Sequence, residues 1–196
     1  MTDAEQRPKG RPHTISTRRV HDGWVGLRID TLRYPSGREG TIEVVEHVGG
    51  VTIVAFDPEG KLLLVSQYRH PAGRELLELP AGTLDPGETP EQCAERELQE
   101  ETGYRPARLD RLGGLYLAPG YCSEYQHIFL ASALSASRLE GDEEEIDLVR
   151  LPLSEALAMV ASGRIEDAKT AGALLLYLQS KQNGDQSSVP PEAGRS

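Results

Sequence analysis

The stretch of sequence that decides the fold is residues 81–104, "AGTLDPGETPEQCAERELQEETGY". It predicts a helix over about residues 90–102, because Thr89 is a good N-cap and the proline that follows suits the first helical position. Gln92 lies three residues after the cap, as in a capping box, and Gly103 suits the position just beyond the helix. The segment is therefore expected to be a loop that leads into one short, well-defined helix.

Three glutamates crowd one face of this predicted helix. Glu97 lies four residues before Glu101 and three before Glu100, so the three carboxylates share a face. Each like-charged pair destabilises an exposed helix by roughly 0.2–0.5 kcal/mol, and Arg96 can reach Glu100 but leaves two carboxylates over. A bound divalent cation such as Mg²⁺, which prefers oxygen ligands, would offset this repulsion. The alternative interpretation is an acidic helix face that is simply solvated.

The spacing around the glutamates favours the metal site. Gly82 is followed after five residues by Glu88, and after seven more by residues 96–104, "RELQEETGY". With typical amino-acid usage, chance gives such a pattern on the order of 10⁻⁹ per start position. The pattern resembles the Nudix box, G-x5-E-x7-R-E-U-x-E-E-x-G-U with U a bulky apolar residue. Every fixed position is met, and Tyr104 fills the last U.

Apolar patterns elsewhere predict mostly strands. Residues 24–34, "WVGLRIDTLRY", alternate in polarity and precede a turn and a second strand, "TIEVVEHV". "GVTIVAF" (50–56) and "KLLLVSQY" (61–68) are apolar enough for central strands, and the "DPEG" between them predicts a hairpin-type connection. Ser154 is expected to cap a second helix, and residues 166–180 predict a third. Many strands with few helices, not in strict alternation, indicate the α+β class.

The resemblance to Nudix proteins implies a more specific architecture, an α/β/α sandwich around a mixed sheet, here preceded by an N-terminal antiparallel strand segment. The expected organisation is a flexible arm at 1–14, N-terminal strands for dimerisation and substrate contact at 15–48, a catalytic domain at 49–180 and a disordered tail at 181–196.

The resemblance also implies the chemistry, hydrolysis of a nucleoside diphosphate linked to another moiety, usually with Mg²⁺ and with Mn²⁺ as a possible substitute. The oxygen donors expected to hold the metal are Glu97, Glu100 and Glu101. Related enzymes add the carbonyl before the box glycine, here Ala81, and we expect Gly82 to let the strand turn tightly there. Arg96, counted among the catalytic residues, and Glu88 are expected to orient the metal ligands.

Three further stretches, 66–82, 118–124 and 139–157, resemble the ADP-ribose pyrophosphatases of this family. They imply Mg²⁺-dependent hydrolysis of ADP-ribose to AMP and ribose 5-phosphate. The alternatives are another nucleoside diphosphate sugar, such as GDP-mannose or ADP-glucose, or a non-catalytic Nudix ligand sensor. The sensor is disfavoured because all the box glutamates are present.

Several residues outside the box are expected to contact the substrate. The guanidinium of Arg69 is a planar, permanently charged donor suited to a diphosphate. The resemblance places an aromatic at Trp24 that stacks on adenine across a homodimer interface, whereas Ile42 replaces an arginine that relatives often carry. The full expected set is Trp24, Arg69, Thr83, Ala118, Pro119, Gly120 and Glu124.

The base that deprotonates the attacking water is expected outside the box. In relatives it is a glutamate on an acidic loop, which here is "GDEEEID", residues 141–147. Alignment on "LVRLPLS" points to Glu144, and Glu143 and Glu145 are the alternatives. A solvated acidic loop without a catalytic role is the other interpretation.

Composition narrows the possible partners. The formal net charge of −10 argues against a broad nucleic-acid surface, which needs lysine and arginine to neutralise phosphates. The longest apolar run, "AGALLLYL", is too short to span a bilayer, and the polar N-terminus has no signal-peptide core. Cys93 and Cys122 lack metal-ligand spacing, so a reducing cytoplasm is the expected compartment. The resemblance to the ADP-ribose pyrophosphatases implies a homodimer, because in that subfamily the N-terminal strands commonly swap between two subunits.

Overall fold

The computed structural model describes residues 10–139 and 146–186. The chain forms two compact units. Of the described residues, one unit contains 10–48 together with Ala118–Glu124, and the other contains Gly49–Leu117 together with 125–139 and 146–186.

The first unit is an antiparallel sheet of three strands, β1 (His13–Asp22), β2 (Gly26–Arg33) and β3 (Glu39–Glu46), with β2 in the middle. This confirms the predicted N-terminal antiparallel segment, although β1 had no apolar pattern to reveal it and is exposed along its whole length. Segment 118–124 lies along β3. The N–H of Val45 donates to the carbonyl of Tyr121 (2.8 Å), and the N–H of Ser123 donates to the carbonyl of Val45 (3.0 Å).

The second unit contains a mixed sheet in the order β7-β4-β9-β8. β4 and β9 are parallel, and the other neighbours are antiparallel. The strands are β4 (Gly50–Ala55), β7 (Ala81–Thr83), β8 (Tyr104–Tyr116) and β9 (Tyr125–Ala136). A smaller antiparallel sheet, in the order β10-β5-β6, consists of β5 (Leu62–Arg69), β6 (Arg74–Glu78) and β10 (Asp147–Leu151), with a 3₁₀ turn at His70–Ala72 after β5.

The hairpin-type connection predicted between β4 and β5 is present as a tight turn, but the two strands do not pair beyond it. Both strands are central, as expected, but they lie in different sheets and meet across their turn in an isolated bridge between Phe56 and Leu62. The turn itself is folded by Asp57, whose carboxylate accepts from the backbone N–H groups of Glu59 and Lys61 at 2.9 Å each. A tight turn therefore joins two strands that pair mainly with other strands, β4 with β7 and β9, and β5 with β6 and β10.

Helices cover both faces of the mixed sheet. They are α1 (Pro90–Thr102), α2 (Leu153–Ala161) and α3 (Ala168–Gln186). Ile53 of β4 packs in a core cluster with Leu98 of α1, whereas its neighbour Val54 packs in a second cluster with Leu174 of α3. This alternation buries β4 on both faces and gives the predicted α/β/α arrangement. Within the part of the chain that the structure describes, no helix is long and apolar enough to cross a membrane.

The ends of the helices agree with the sequence signals in one case of three. At α1, the Thr89 hydroxyl accepts from the N–H of Gln92, the Gln92 side chain accepts from the N–H of Thr89, and Gly103 is left-handed (φ 76°). The predicted cap of α2 by Ser154 is wrong, because the N-cap is Pro152 and no side chain caps it. α3 begins at Ala168 and extends to Gln186, inside the segment predicted as a disordered tail.

Candidate active site

The guanidinium group of Arg96 lies at the centre of the box. It donates to both carboxylate oxygens of Glu88 at 2.9 Å each, and its Nη1 donates to Glu97 (2.7 Å) and Glu100 (3.1 Å). Its Nη2 also donates to the carbonyl of Thr83 at 3.2 Å. Arg96 thus connects the loop, strand β7 and two of the crowded carboxylates. The sequence spacing had predicted its contact with Glu100 but not the one with Glu97.

These contacts hold both partners in their charged forms. Hydrogen bonding to Glu88, opposed by burial and assisted by Glu97, raises the pKa of Arg96. The hydrogen bond from Arg96 lowers the pKa of Glu88, against the effect of burial, and the backbone N–H of Asp85 lowers it further. A charge-assisted, two-pronged pair of this kind is geometrically specific. The loop from β7 to α1 is therefore fixed at both ends.

Gly82 is required for a reason that the sequence did not reveal. A Cβ at this position would lie 1.8 Å from the carboxylate carbon of Glu97. Gly82 lies within β7, paired with Val51, and is not among the residues with positive φ. The expected tight turn is therefore wrong. The glycine instead lets the carboxylate of Glu97, a buried residue, pack directly against the strand backbone.

Glu101 is held by the same strand. The backbone N–H of Ala81 donates to its carboxylate at 3.0 Å. Glu97 and Glu101 are thus both placed at β7, one against Gly82 and the other against Ala81. The proposed role of the Ala81 carbonyl as a metal ligand stays a prediction.

The donor set suits a hard divalent cation. Glu97 and Glu100 both accept from one nitrogen of Arg96, so their carboxylates already converge on a single positively charged point. Their oxygens are the ligand type that Mg²⁺ and Mn²⁺ prefer. Within residues 10–139 and 146–186, no three acidic, histidine or cysteine side chains are grouped as a metal site.

A family model described as the NUDIX domain matches residues 46–171. The chain belongs to the Nudix family. It is 40% identical over 173 residues, 86% of its length, to an ADP-ribose pyrophosphatase of Bacillus subtilis, of which 93% is covered. It is 39% identical over 148 residues to a GDP-mannose pyrophosphatase of Yersinia enterocolitica, covering 70% of this chain and 76% of that one.

A solved structure titled as that of an ADP compounds hydrolase has the same fold. It matches with a TM-score of 0.80 and 27% identity, over 89% of this chain and 96% of its own. The protein is thus a Nudix hydrolase of α+β architecture, and members of the family generally use divalent metal ions.

Arg69, predicted to bind the diphosphate, is part of an ion-pair network in this Nudix hydrolase. Its Nε and Nη2 donate to the two carboxylate oxygens of buried Glu78 at 2.9 and 2.8 Å. Lys169 also donates to Glu78, and pairs with Asp167 at 3.0 Å. Burial would raise the pKa of Glu78, but Arg69 and Lys169 outweigh it and lower the pKa from its ordinary value of 4.5. The two hydrogen bonds to Glu78 fix the orientation of the Arg69 guanidinium plane.

Of the other predicted substrate residues, Thr83 belongs to the box, since its carbonyl accepts from Arg96 and from the thiol of Cys93 (3.4 Å). The remaining ones lie in the first unit. Trp24 is 80% exposed and packs edge-to-face on His47, with ring centroids 5.5 Å apart. The loop that begins at Ala118 turns on that residue's carbonyl, which accepts from the N–H groups of the two residues that follow Gly120.

The same loop borders a groove of about 530 Å³ in the first unit. Ile42, the position at which relatives often carry arginine, lies in it together with Leu27, Thr41, Glu43, Val45, Gly120 and Tyr121. The candidates for the catalytic base, Glu143, Glu144 and Glu145, lie outside the described residues.

Four residues that support the site, Glu78, Asp167, Lys169 and Thr170, were not predicted from the sequence. Glu78 lies in the stretch 66–82 that resembles the ADP-ribose pyrophosphatases, and its carboxylate is buried. Lys169 is 91 positions away from Glu78, and a lysine early in a helix normally faces solvent. A search for an acidic residue placed among apolar strand residues would have found Glu78, because such a residue needs a cationic partner.

The close approach of Gly82 to Glu97 predicts a specific coupling. Gly82→Ala should lower the free energy of unfolding by about 1–3 kcal/mol, the usual cost of overpacking. In a Glu97→Ala background the same substitution should cost clearly less, since the obstructing carboxylate is gone. Urea unfolding of the four proteins in this double-mutant cycle measures the difference. An equal cost in both backgrounds would contradict the contact.

The depressed pKa of Glu78 predicts a pH-dependent contribution to stability. A carboxylate with a lowered pKa in the folded state stabilises fully above pH 4.5, and this contribution disappears as the pH falls through the folded-state pKa. Glu78→Gln should therefore cost about 3 kcal/mol at neutral pH, as for a broken buried pair, and progressively less below pH 4.5. Urea unfolding across a pH series measures this. The control is Glu75→Gln, at an exposed position on the same strand. If Glu78→Gln lowered the free energy of unfolding by the same amount at every pH, the assignment would be refuted.

Proposed function

We propose that this Nudix hydrolase cleaves the diphosphate bond of ADP-ribose, giving AMP and ribose 5-phosphate. The observation that carries the proposal is the carboxylate cluster of α1, set against β7 by Arg96, Gly82 and Ala81. Such a cluster suits binding of a cation and a polyanion together. The resemblance over most of the chain to a protein named ADP-ribose pyrophosphatase supports this choice of substrate.

Each residue of the site has a defined task. Glu97, Glu100 and Glu101 would hold Mg²⁺, with Mn²⁺ as a substitute and with the Ala81 carbonyl as a further ligand. The bound metal would supply charge that offsets the diphosphate, and would make an attacking water more acidic. Arg96 keeps Glu97 and Glu100 together, and it is itself oriented by Glu88. These are positioning contacts of the kind that tune metal sites.

Substrate contacts are also proposed for several residues outside the box. Arg69 would contact the diphosphate while Glu78 holds its guanidinium plane. Trp24 would stack on the adenine, since its ring is exposed. Thr83 and the loop residues Ala118, Pro119, Gly120 and Glu124 complete the proposed contacts. Ile42 in place of arginine removes one possible cationic contact with the nucleotide.

GDP-mannose or another nucleoside diphosphate sugar is the second candidate substrate. The similarity to a protein named GDP-mannose pyrophosphatase favours it, over a smaller share of the chain. A non-catalytic sensor is disfavoured, because every carboxylate of the box is present and held in place.

We also propose a homodimer that works in the cytoplasm. Exposed β1 and exposed apolar residues of the first unit, among them Val20, Trp24 and Val48, support a partner surface there. Cys93 and Cys122 are free thiols, as suits a reducing compartment.

Product analysis with ADP-ribose, ADP-glucose and GDP-mannose in Mg²⁺ or Mn²⁺ tests the function. ADP-ribose should give the highest kcat/KM, with AMP and ribose 5-phosphate as products. Glu97→Gln and Glu101→Gln should each reduce turnover by more than about 10²-fold, beyond the upper range for losing an outer-shell partner. Glu95→Gln, on the same helix but paired with Arg105 at 2.6 Å, is the matched control and should stay near wild type. Full Mg²⁺-dependent activity of both variants would exclude the metal assignment.

The catalytic base is proposed to be Glu144. Glu144→Gln should lower kcat by about 10²–10⁴, the usual contribution of a positioned general base, with little change in KM or metal affinity. Glu143→Gln and Glu145→Gln should have weaker effects, and a side-by-side kinetic comparison on ADP-ribose measures all three. A collapse at a neighbour instead of Glu144 would move the base within the loop. Full activity of all three variants would remove the base from this loop.

The proposed homodimer is tested by sedimentation velocity at micromolar concentration. We expect a dimer, and we expect Trp24→Ala to raise KM for ADP-ribose while kcat changes less, because stacking contributes to binding. A fully active monomer would refute both the dimer and the shared-site proposal.

A further inference from the structure

The segment Glu78–Thr83, which contains the end of β6 and all of β7, contacts α1 on one side and the start of α3 on the other. On the side of α1, Ala81 donates its N–H to Glu101, Gly82 packs on the carboxylate of Glu97, and the Thr83 carbonyl accepts from Arg96. These contacts place two carboxylates of the box. The positions of these two carboxylates therefore depend on where the backbone of this segment lies.

The strand itself is a weak anchor for that backbone. β7 contains three residues and lies at the edge of its sheet, where it pairs with β4 alone. So short an edge strand has few ladder hydrogen bonds to hold its position. The residues immediately before it therefore matter for its placement, and the carbonyl of Pro80 does accept from the N–H of Ile53 at 2.8 Å.

The other anchor comes from the start of α3. The N–H of buried Leu79 donates to the hydroxyl of Thr170 at 2.8 Å. That hydroxyl in turn donates to Asp167 at 2.6 Å, and Asp167 also accepts from the N–H of Thr170 at 2.9 Å. Thr170 is fully buried, so its hydroxyl has a fixed orientation. Lys169, which precedes Thr170 in the sequence, donates to both Asp167 and Glu78.

We propose that Thr170, oriented by Asp167, and Lys169 are positioning residues for the box. They hold Glu78 and Leu79, and through the next three residues they set the Ala81 amide against Glu101 and the Gly82 backbone against Glu97. α3 thereby serves the active site although none of its residues belongs to the Nudix box. The inference rests on the proposed metal site of this hydrolase, but not on the identity of its substrate.

The test compares Thr170→Val, which keeps the shape and removes the hydroxyl, with Thr170→Ser, which keeps the hydroxyl. The matched control for general stability is Asp57→Ala, which removes the buried acceptor in the turn between β4 and β5. Two properties are measured without substrate. They are amide hydrogen exchange of Leu79 and Ala81 in the metal-free protein, and the dissociation constant for Mn²⁺ by electron paramagnetic resonance.

Thr170→Val should speed exchange at Leu79 and Ala81 and weaken Mn²⁺ binding by about 10-fold, as when an outer-shell partner of a metal site is lost. Thr170→Ser should restore both properties, and Asp57→Ala should change neither beyond its effect on global unfolding. If Thr170→Val does not fold, it is replaced by Asp167→Asn, which keeps the side-chain shape. This variant should show the same two effects, faster exchange and weaker Mn²⁺ binding, to a smaller extent.

Wild-type Mn²⁺ affinity in a variant with fast exchange at Leu79 would overturn the inference, because the anchor would then be purely structural. Equal losses in Thr170→Val and Asp57→Ala would overturn it as well. If ADP-ribose is not cleaved but the Mn²⁺ results are as expected, the proposed substrate fails and the positioning role stands.

Discussion

A single guanidinium group holds two of the three glutamates that share one face of α1. Arg96 donates to Glu88, Glu97 and Glu100 and reaches the backbone of Thr83. Charge-assisted hydrogen bonds of this kind are stronger than the few tenths of a kcal/mol by which adjacent like charges repel on a helix. The spacing of the Nudix box follows, because the loop before α1 must return Glu88 to the guanidinium while Gly82 stays beneath Glu97.

Local signals made α1 predictable, whereas distant pairing did not follow from sequence. The capping box at Thr89 and the left-handed Gly103 are short-range features, and both are present as expected. The partners of β4 are β7 and β9, which lie far along the chain, and its pairing with the neighbouring strand β5 stops at the turn that joins them. Strands β1, β6, β7 and β10 were not predicted, and for two of them the physical reason is plain. β1 is exposed on every residue and has no apolar alternation, and β7 is too short for any periodicity.

The convergence of Glu97 and Glu100 was predictable, because carboxylate spacing on a helix determines which side chains share a face. The supporting contacts were not. Nothing in the sequence shows that Gly82 is needed for the absence of a Cβ beneath Glu97, since a glycine before a loop suggests a turn. Likewise the use of Arg69 on Glu78 depends on burial of that glutamate, which only the packed structure reveals.

The segment 118–124 has a consequence for how the chain can be divided or recombined. It interrupts β8 and β9 of the second unit, yet its backbone pairs with β3 of the first. A single cut at Val48 therefore separates Val45 from the groups on Tyr121 and Ser123 that its backbone pairs with. A chimera that exchanges the N-terminal strands between relatives should therefore take segment 118–124 from the same parent. The two pieces must be exchanged together, although some seventy residues of the other unit lie between them in the sequence.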